Sequence, residues 1–301
     1  MSLSRSRIIN YRFFIHLLFL VVCIIFFIIP FALVIMVSFT DEDVIKEFGY
    51  QLFPKKLSLE AYRYVFNSPR KMINAYLVTA AQAFLCTFLS VLLMALCAYP
   101  LSRRNFIFKK HLTVFLLITM LFGGGLVPSY ILNTQYLKLG NTFWIYILPH
   151  LASAFHIIVF RTYFQGLPET MLESAKLDGA SELRLFWQMI LPLSTPVLAT
   201  ISFLVVLDRW NDWFTSLIYI RNQDLYTLQY LLQRILNDME FIKKMAAETT
   251  GYEELQVMLD SIPGEAMRFA LAIVAAGPMM VVFPLFQKYF VSGLTIGAMK
   301  G

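Results

Sequence analysis

Six long apolar stretches limit what this chain can fold into more than any other feature of its sequence. They contain no Asp, Glu, Lys or Arg and cover residues 17–39, 72–102, 111–137, 139–160, 185–207 and 269–287. An α-helix needs about 20 apolar residues to cross the hydrocarbon core of a bilayer. Only helices and closed barrels satisfy every backbone group in lipid, and stretches this long without alternation exclude a barrel. The sequence therefore predicts an all-α polytopic membrane protein with six transmembrane helices.

The helix positions and connecting segments follow from where these stretches begin and end. We place the helices near residues 13–38, 73–98, 111–132, 142–164, 196–220 and 269–290. The first stretch is longer than the apolar part of a signal peptide and no small-residue cleavage site follows it, so we interpret it as a retained span. The main connecting segments are then residues 39–72, 165–195 and 221–268, and a tail follows over residues 291–301.

Lysine and arginine in the short connections predict the orientation, because cytoplasmic loops carry an excess of these residues. The connection over residues 133–141 has a single basic residue, Lys138. In contrast, several basic residues precede the first span or lie between the second and third spans: Arg5, Arg7, Arg12, Arg103, Arg104, Lys109 and Lys110. We therefore expect both termini and residues 165–195 to be cytoplasmic, and residues 39–72 and 221–268 to be external. The net charge of +6 has the same explanation and does not indicate a nucleic-acid partner.

Residues 165–195 carry the most specific local pattern. Pro168 and Glu169 suit the first turn of a helix. The Asp178-Gly179 pair suits its end, because glycine tolerates positive φ at a helix C-terminus. A second short helix is expected to begin near Ala180 and to end at Pro192, with an apolar face formed by Leu183, Phe186, Trp187 and Ile190. We expect the aromatic side chains of this face to anchor a partner protein.

The same segment resembles the EAA motif of ABC importer permeases. The matching positions are Glu173, Ser174, Ala175, Asp178, Gly179, Ala180, Phe186 and Pro192, with Pro196 just beyond. Ser174 replaces the usual alanine and keeps its small size. The resemblance implies a type I importer permease fold, with its transmembrane domain over residues 73–290. It also implies a cytoplasmic coupling helix that binds an ABC ATPase, so we call residues 165–195 the EAA loop.

Other segments resemble the carbohydrate-uptake branch of this family. Residues 293–301 look like the tail of the second permease of carbohydrate importers, as in the maltose system, which implies that Gly297 and Lys300 lie near the ATPase. Residues 210–212 also resemble this branch. The glycine triplet (residues 123–125), followed by Pro128, resembles the subgroup for complex oligosaccharides. The implied cargo is a sugar or an oligosaccharide.

Charged residues interrupt the apolar pattern of the fifth span at Asp208, Arg209 and Asp212. Charges in a span are costly and usually face protein or water, in pairs. The two aspartates are four residues apart and share a helical face, and Arg209 could pair with an acid on another helix. Trp210 and Asn211 suit the ring and the hydroxyl groups of a sugar. Contact with cargo and structural pairing at a subunit interface therefore both remain open.

The glycine triplet and Pro128 should break or kink the third span. Irregular backbone at membrane depth is tolerated where it lines a cavity or is buried in protein. Gly124 is therefore a candidate cavity residue, and close helix packing through glycine is the alternative.

The sequence has no P-loop pattern, because the glycine triplet is not followed by the lysine that such a loop needs. We therefore expect ATP and Mg²⁺ on a partner chain, and neither cofactor nor enzymatic activity on this one.

The cysteines Cys23, Cys86 and Cys97 have no metal-ligand spacing. The resemblance implies a bacterial cytoplasmic membrane location and these partners: a second homologous permease, an ABC ATPase dimer, and an extracytoplasmic solute-binding protein that contacts residues 221–268.

Two alternative functions remain at this point. One is the same importer architecture with a solute other than a sugar. The other is a proton-coupled secondary transporter, which would predict several buried acids or histidines poised to titrate and no coupling loop. A membrane enzyme is disfavoured, because the sequence shows no convergent nucleophile or metal cluster.

Overall fold

The structure, a computed structural model, describes residues 14–248 and 264–298, where its regular elements are helices. In chain order they are α1 (Phe14–Ser38), α2 (Glu42–Phe48), α3 (Glu60–Val65), α4 (Pro69–Ser102), α5 (Lys109–Leu121), α6 (Leu126–Tyr136), α7 (Ala154–Gln165), α8 (Glu169–Leu177), α9 (Glu182–Leu193), α10 (Thr195–Trp210), α11 (Phe214–Tyr219), α12 (Leu228–Glu248) and α13 (Glu265–Ala298). An isolated antiparallel bridge joins Thr40 and Leu57. The predicted all-α membrane fold is confirmed.

The described helices supply up to six membrane spans. By length and composition, α1, α4 and Glu265–Gln287 of α13 are each long and apolar enough to cross alone. Three bent pairs of helices are each long and apolar enough to cross when the two members are taken together. They are α5 with α6, the 3₁₀ turns Phe143–His150 with α7, and α9 with α10. The bends are 110°, 49° and 79°, respectively. In the described part of the chain, the six-span pattern therefore depends on these broken helices.

The first bend lies at the glycine triplet. Helix α5 ends at Leu121, and helical structure resumes at Leu126 after a break in which Gly125 has φ +83°. Only glycine adopts such a conformation without strain. The predicted break in the third span is confirmed.

The segment predicted as one helix over residues 196–220 is divided in two. Helix α10 ends at Trp210, and α11 begins at Phe214. The Asp212 side chain explains the new start, because its Oδ1 accepts a hydrogen bond from the backbone N–H of Thr215 at 3.0 Å. The sequence contains the capping residue, but its apolar pattern hides the break.

The chain divides into two compact units, and the first comprises Met1–Pro69 and Arg234–Gly277. In this unit, Lys56 Nζ lies 2.7 Å from the Asp41 carboxylate, which also caps α2 by accepting from Asp43 N–H. The hydrogen bond from the Lys56 ammonium lowers the pKa of the Asp41 carboxyl below its usual value. The stabilisation is therefore present at neutral pH and is lost as the pH falls through the lowered pKa.

The first unit also fixes the start of α13 through a carboxylate distant in sequence. Glu42 accepts hydrogen bonds from the backbone N–H groups of Glu265 at 2.9 Å and of Ala266 at 3.1 Å. The first N–H groups of a helix have no partner within it, and a negative charge suits the positive end of its dipole. The segment after the first span is thereby attached to the beginning of the last helix.

We expect Glu42→Ala to speed amide hydrogen exchange at Glu265 and Ala266 and to lower local stability by about 1 kcal/mol. The reason is that two part-buried N–H groups at the start of α13 lose their acceptor. Exchange measured by mass spectrometry on the purified protein checks this. Glu47→Ala, at an exposed position of the same helix, is the matched control, and equal exchange in the two variants would contradict the assignment.

The second unit comprises Arg70–Gln233 and Pro278–Gly301 and is built on α4. Half of the most apolar window of this helix is buried inside the protein. Many of its buried side chains are small, which lets other backbones approach closely; they include Ala75, Thr79, Ala83, Ser90, Ala95 and Ala98. One core cluster joins residues of α4, α7, α9 and α10, including Tyr99, Phe160, Phe164, Phe186, Ile190 and Ile201.

Candidate functional site

The EAA loop contains two short helices that meet at a glycine turn. Helix α8 ends at Leu177, and Gly179 follows with φ +80°. Gly179 N–H donates to the Lys176 carbonyl and Ala180 N–H to the Ala175 carbonyl, each at 3.0 Å. This bond pair is the Schellman motif, which needs a residue in the left-handed conformation at the position of Gly179. The Asp-Gly-Ala sequence therefore sets the turn, as predicted.

The second helix of the EAA loop is capped and tied to the first. The Ser181 side chain accepts from Arg184 N–H at 3.3 Å and so begins α9. Across the turn, Lys176 Nζ lies 2.6 Å from Glu182 Oε1. The other oxygen of Glu182 accepts a hydrogen bond from Tyr99 OH at 2.6 Å. One carboxylate thus connects α8, α9 and α4.

The apolar residues of the EAA loop divide into a buried and an exposed set. Phe186 is 1% exposed and packs against Tyr99 with ring centroids 5.5 Å apart. The Phe186 ring therefore holds the loop to the chain's own core and is not presented to a partner in this conformation. Leu177, Leu183 and Trp187 are instead 89%, 66% and 51% exposed. Sequence reasoning missed Leu177, although an apolar residue directly before the predicted Asp178-Gly179 turn could have been recognised as a residue of the tip.

The charged residues of the fifth span form a pair within the chain. The Arg209 and Asp212 side chains are 8% and 7% exposed, and Nη1 of Arg209 lies 3.1 Å from Oδ2 of Asp212. Arg209 Nη2 also donates to Asp208 Oδ2. Among the described residues, Arg209 therefore pairs with two acids of its own segment, where the sequence also allowed an acid on another helix. Asp208 and Asp212 lie on either side of Arg209 in sequence, close enough for both carboxylates to reach its guanidinium.

Helix α4 and the segment before α12 hold the backbone of this pair. Gln82 Nε2 donates to the Arg209 carbonyl at 2.7 Å, and Thr227 Oγ1 donates to the Asp212 carbonyl at 2.8 Å. Gln82 is fully buried. Sequence reasoning missed both residues. The signal available for Gln82 was an amide side chain in the middle of a long stretch without Asp, Glu, Lys or Arg.

The remaining members of this segment differ in exposure. Trp210 is 7% exposed, so its ring is not presented to a ligand in this conformation. The Asp208 side chain is 71% exposed, and Asn211 is exposed while its amide donates to the Leu207 carbonyl at 2.9 Å. The exposed groups of this segment are therefore the Asp208 carboxylate and the Asn211 side chain, whose Oδ1 also accepts a hydrogen bond from Gln229 Nε2 at 3.3 Å.

The glycine triplet lies in open space within this chain. A Cβ at Gly124 would meet only Pro128 Cβ, at 3.7 Å, and one at Gly123 or Gly125 would meet no described atom within 4 Å. Close helix packing inside the chain is thus not the reason for these glycines. Gly125 is required for its positive φ, and the triplet leaves a stretch of backbone uncovered.

Comparison with known proteins identifies the family. No family model matches the chain. Protein LplC of Bacillus subtilis (strain 168) is 34% identical over 280 residues, which cover 91% of this chain and 90% of that protein. The polygalacturonan/rhamnogalacturonan transport system permease protein YtcP of the same organism is 32% identical over 285 residues, 95% of each protein. This chain belongs to the carbohydrate ABC importer permeases, of type I.

The permease also shares its fold with a solved structure, a bacterial ABC transporter involved in the import of the acidic polysaccharide alginate. The TM-score is 0.77, with 24% identity, and the match covers 95% of the permease and 98% of that chain. The match agrees with the type I importer permease fold predicted from the EAA motif.

The permease is a transport subunit and not an enzyme. Among the residues that the structure describes, no group of three or more His, Cys, Asp or Glu side chains is placed to hold a metal ion. Gly297 lies near the C-terminal end of α13. Lys300 and the N-terminal arginines used for the orientation lie outside the described residues.

Proposed function

We propose that the permease imports a sugar or an oligosaccharide across the bacterial cytoplasmic membrane, driven by a separate ABC ATPase that binds the EAA loop. The observation that carries this proposal is the Schellman turn at Gly179, which joins two short helices with an exposed apolar tip. Exposed apolar residues on a rigid scaffold suit a partner's groove. The names of relatives support the cargo class: YtcP, and the trehalose/maltose permease MalG of Thermococcus litoralis, 30% identical over 278 residues.

The EAA loop residues have distinct roles in this proposal. Glu173 and Asp178 are exposed and contact the ATPase directly, together with Leu177, Leu183 and Trp187. The small residues Ser174, Ala175 and Ala180 and the turn residue Gly179 set the shape of the tip. Phe186 fixes the loop to the core, and Pro192 lies in the last turn of α9, before the 79° bend into α10. ATP and Mg²⁺ are bound by the partner chain.

The remaining partners follow from the predicted orientation. Both termini and the EAA loop are cytoplasmic, and the tail with Gly297 and Lys300 extends toward the ATPase. A second homologous permease completes the pathway, and a solute-binding protein delivers cargo to residues 221–268 on the outside. Basic residues between α4 and α5 support this orientation.

We assign Asp208, Asn211 and Gly124 to the translocation cavity. Asp208 and Asn211 are exposed polar groups at the end of α10, and carboxylate and amide groups bind sugar hydroxyls. Gly124 lies in uncovered, irregular backbone, which at membrane depth must line water or be covered by protein. Arg209, Asp212 and Trp210 are buried and support these residues structurally.

The test is uptake by the complete complex, purified with its ATPase, second permease and binding protein and reconstituted in proteoliposomes. We expect ATP-dependent, vanadate-sensitive uptake of labelled trigalacturonate or maltotriose, an acidic and a neutral probe. A protonophore should leave uptake unchanged. Uptake that needs a proton gradient and no ATP would contradict the proposal and favour a secondary transporter.

The orientation is tested separately by labelling. In a variant without its three native cysteines, expressed without the ATPase that would cover this position, Asp178→Cys should react with an impermeant maleimide in inside-out vesicles and not in intact cells with permeabilised outer layers. Asn222→Cys, in the segment between α11 and α12, should show the opposite pattern. Labelling of Asp178→Cys from outside the cell would overturn the coupling assignment.

A further inference from the structure

We propose that the Tyr99–Glu182 hydrogen bond is the joint through which the EAA loop moves α4, so that both residues position the transport machinery without contacting cargo or ATP. This inference rests on the proposed function. It assigns the transmission of force to two side chains outside the Asp-Gly-Ala turn.

The first step is the place of Tyr99 in α4. It lies three residues before the end of this 34-residue helix and is 7% exposed. Its hydroxyl donates to Glu182 Oε2 at 2.6 Å. A short hydrogen bond to a charged acceptor is about twice as strong as a neutral one. The end of α4 is therefore attached to the first residue of α9.

The second step is that Glu182 also holds the other helix of the loop. Its Oε1 lies 2.6 Å from Lys176 Nζ in α8. The Schellman turn keeps α8 and α9 together through the backbone. A displacement of either short helix is therefore transferred to Glu182 and from there to Tyr99.

The third step concerns packing around the joint. A groove of about 400 Å³ that is open to the surface lies beside it, and its lining includes Tyr99, Phe106, Lys176, Leu183 and Phe186. On the core side the Phe186 ring packs against Tyr99. On the side of the groove, the hydrogen bond from Tyr99 and the ion pair with Lys176 are the contacts of Glu182 that hold the loop to the end of α4.

The fourth step is the reach of α4. Gln82 lies on the same helix, 17 residues before Tyr99, which corresponds to about 25 Å at 1.5 Å per residue. Gln82 Nε2 donates to the Arg209 carbonyl at 2.7 Å. A continuous helix therefore connects the EAA loop to the polar segment of α10 by two named hydrogen bonds. Such a rigid element is a physical route for coupling between distant sites.

The test compares Tyr99→Phe with Tyr163→Phe in the reconstituted complex. Tyr99→Phe removes one hydroxyl and keeps the ring that packs on Phe186. Tyr163 is half-buried beside the same core cluster, and its OH donates to the neutral Leu193 carbonyl at 3.3 Å, so the loss of this hydroxyl is a matched control. The measurement is labelled trigalacturonate or maltotriose transported per ATP hydrolysed, together with the yield of co-purified ATPase.

We expect Tyr99→Phe to lower cargo per ATP about fivefold or more, with ATP hydrolysis and complex yield retained. Glu182→Gln should lower it similarly, and the double variant should lose less than the product of the two effects, because both remove the same joint. Equal cargo per ATP in Tyr99→Phe and Tyr163→Phe would overturn the inference while the proposed function stands. ATP-independent uptake by the unmodified complex would instead overturn the proposed function.

Discussion

Replacing Gly179 with valine is expected to abolish uptake while the permease still inserts into the membrane. Gly179 has φ +80°, a conformation that a β-branched residue adopts only with strain of roughly 1–3 kcal/mol. The strain falls on the Schellman bonds to Lys176 and Ala175 and disturbs the tip of the EAA loop. Uptake into proteoliposomes and the amount of permease in the membrane fraction are the two measurements.

Gly179→Asn is the matched control for this prediction. Asparagine tolerates the left-handed region better than other non-glycine residues. A Cβ at this position meets no described atom within 4 Å, so added volume is not itself a problem. Uptake should therefore be largely retained with asparagine and lost with valine. Normal uptake with valine would contradict a required turn at this position.

Arg209→Met is expected to lower the stability of the permease by about 3–5 kcal/mol. The substitution leaves the Asp212 carboxylate, 7% exposed, without its cation. An uncompensated buried charge is far more costly than the loss of a surface pair. We expect the midpoint of thermal unfolding in detergent to fall by roughly 10 °C.

Two further variants show whether the buried Arg209–Asp212 pair, rather than the exposed Asp208, is responsible for this stability. Asp208→Asn changes a side chain that is 71% exposed, so it should cost no more than about 1 kcal/mol. Adding Asp212→Asn to Arg209→Met removes the unpaired charge and should recover much of the lost stability. An Arg209→Met permease as stable as the unmodified protein would show that the buried pair has no structural role.

Local features of the fold were predictable from the sequence because they depend on neighbouring residues. The turn at Gly179 follows from a helix end followed by glycine, and the break in the third span follows from the glycine triplet. Both are confirmed. Each requires only the backbone preferences of a few consecutive residues.

The features that the sequence left undecided concern side chains whose surroundings come from distant parts of the chain. Phe186 has an aromatic ring of the kind that often anchors a partner protein, but in the structure the ring of Tyr99 packs against it. Gln82 received no role at all, although it fixes the Arg209 backbone. The spacing of apolar residues along a helix does not show which distant part of the chain will cover a given side chain.

The sequence by itself determined the membrane class, the positions of the apolar stretches and the two-helix form of the EAA loop, because apolar length and turn chemistry act over short distances. Only the tertiary structure decided that Glu182 connects the loop to α4, that Tyr99 covers Phe186, and that Gln82 holds the backbone carbonyl of Arg209. These outcomes depend on contacts between residues far apart in sequence, whose geometry is set by the packing of whole helices.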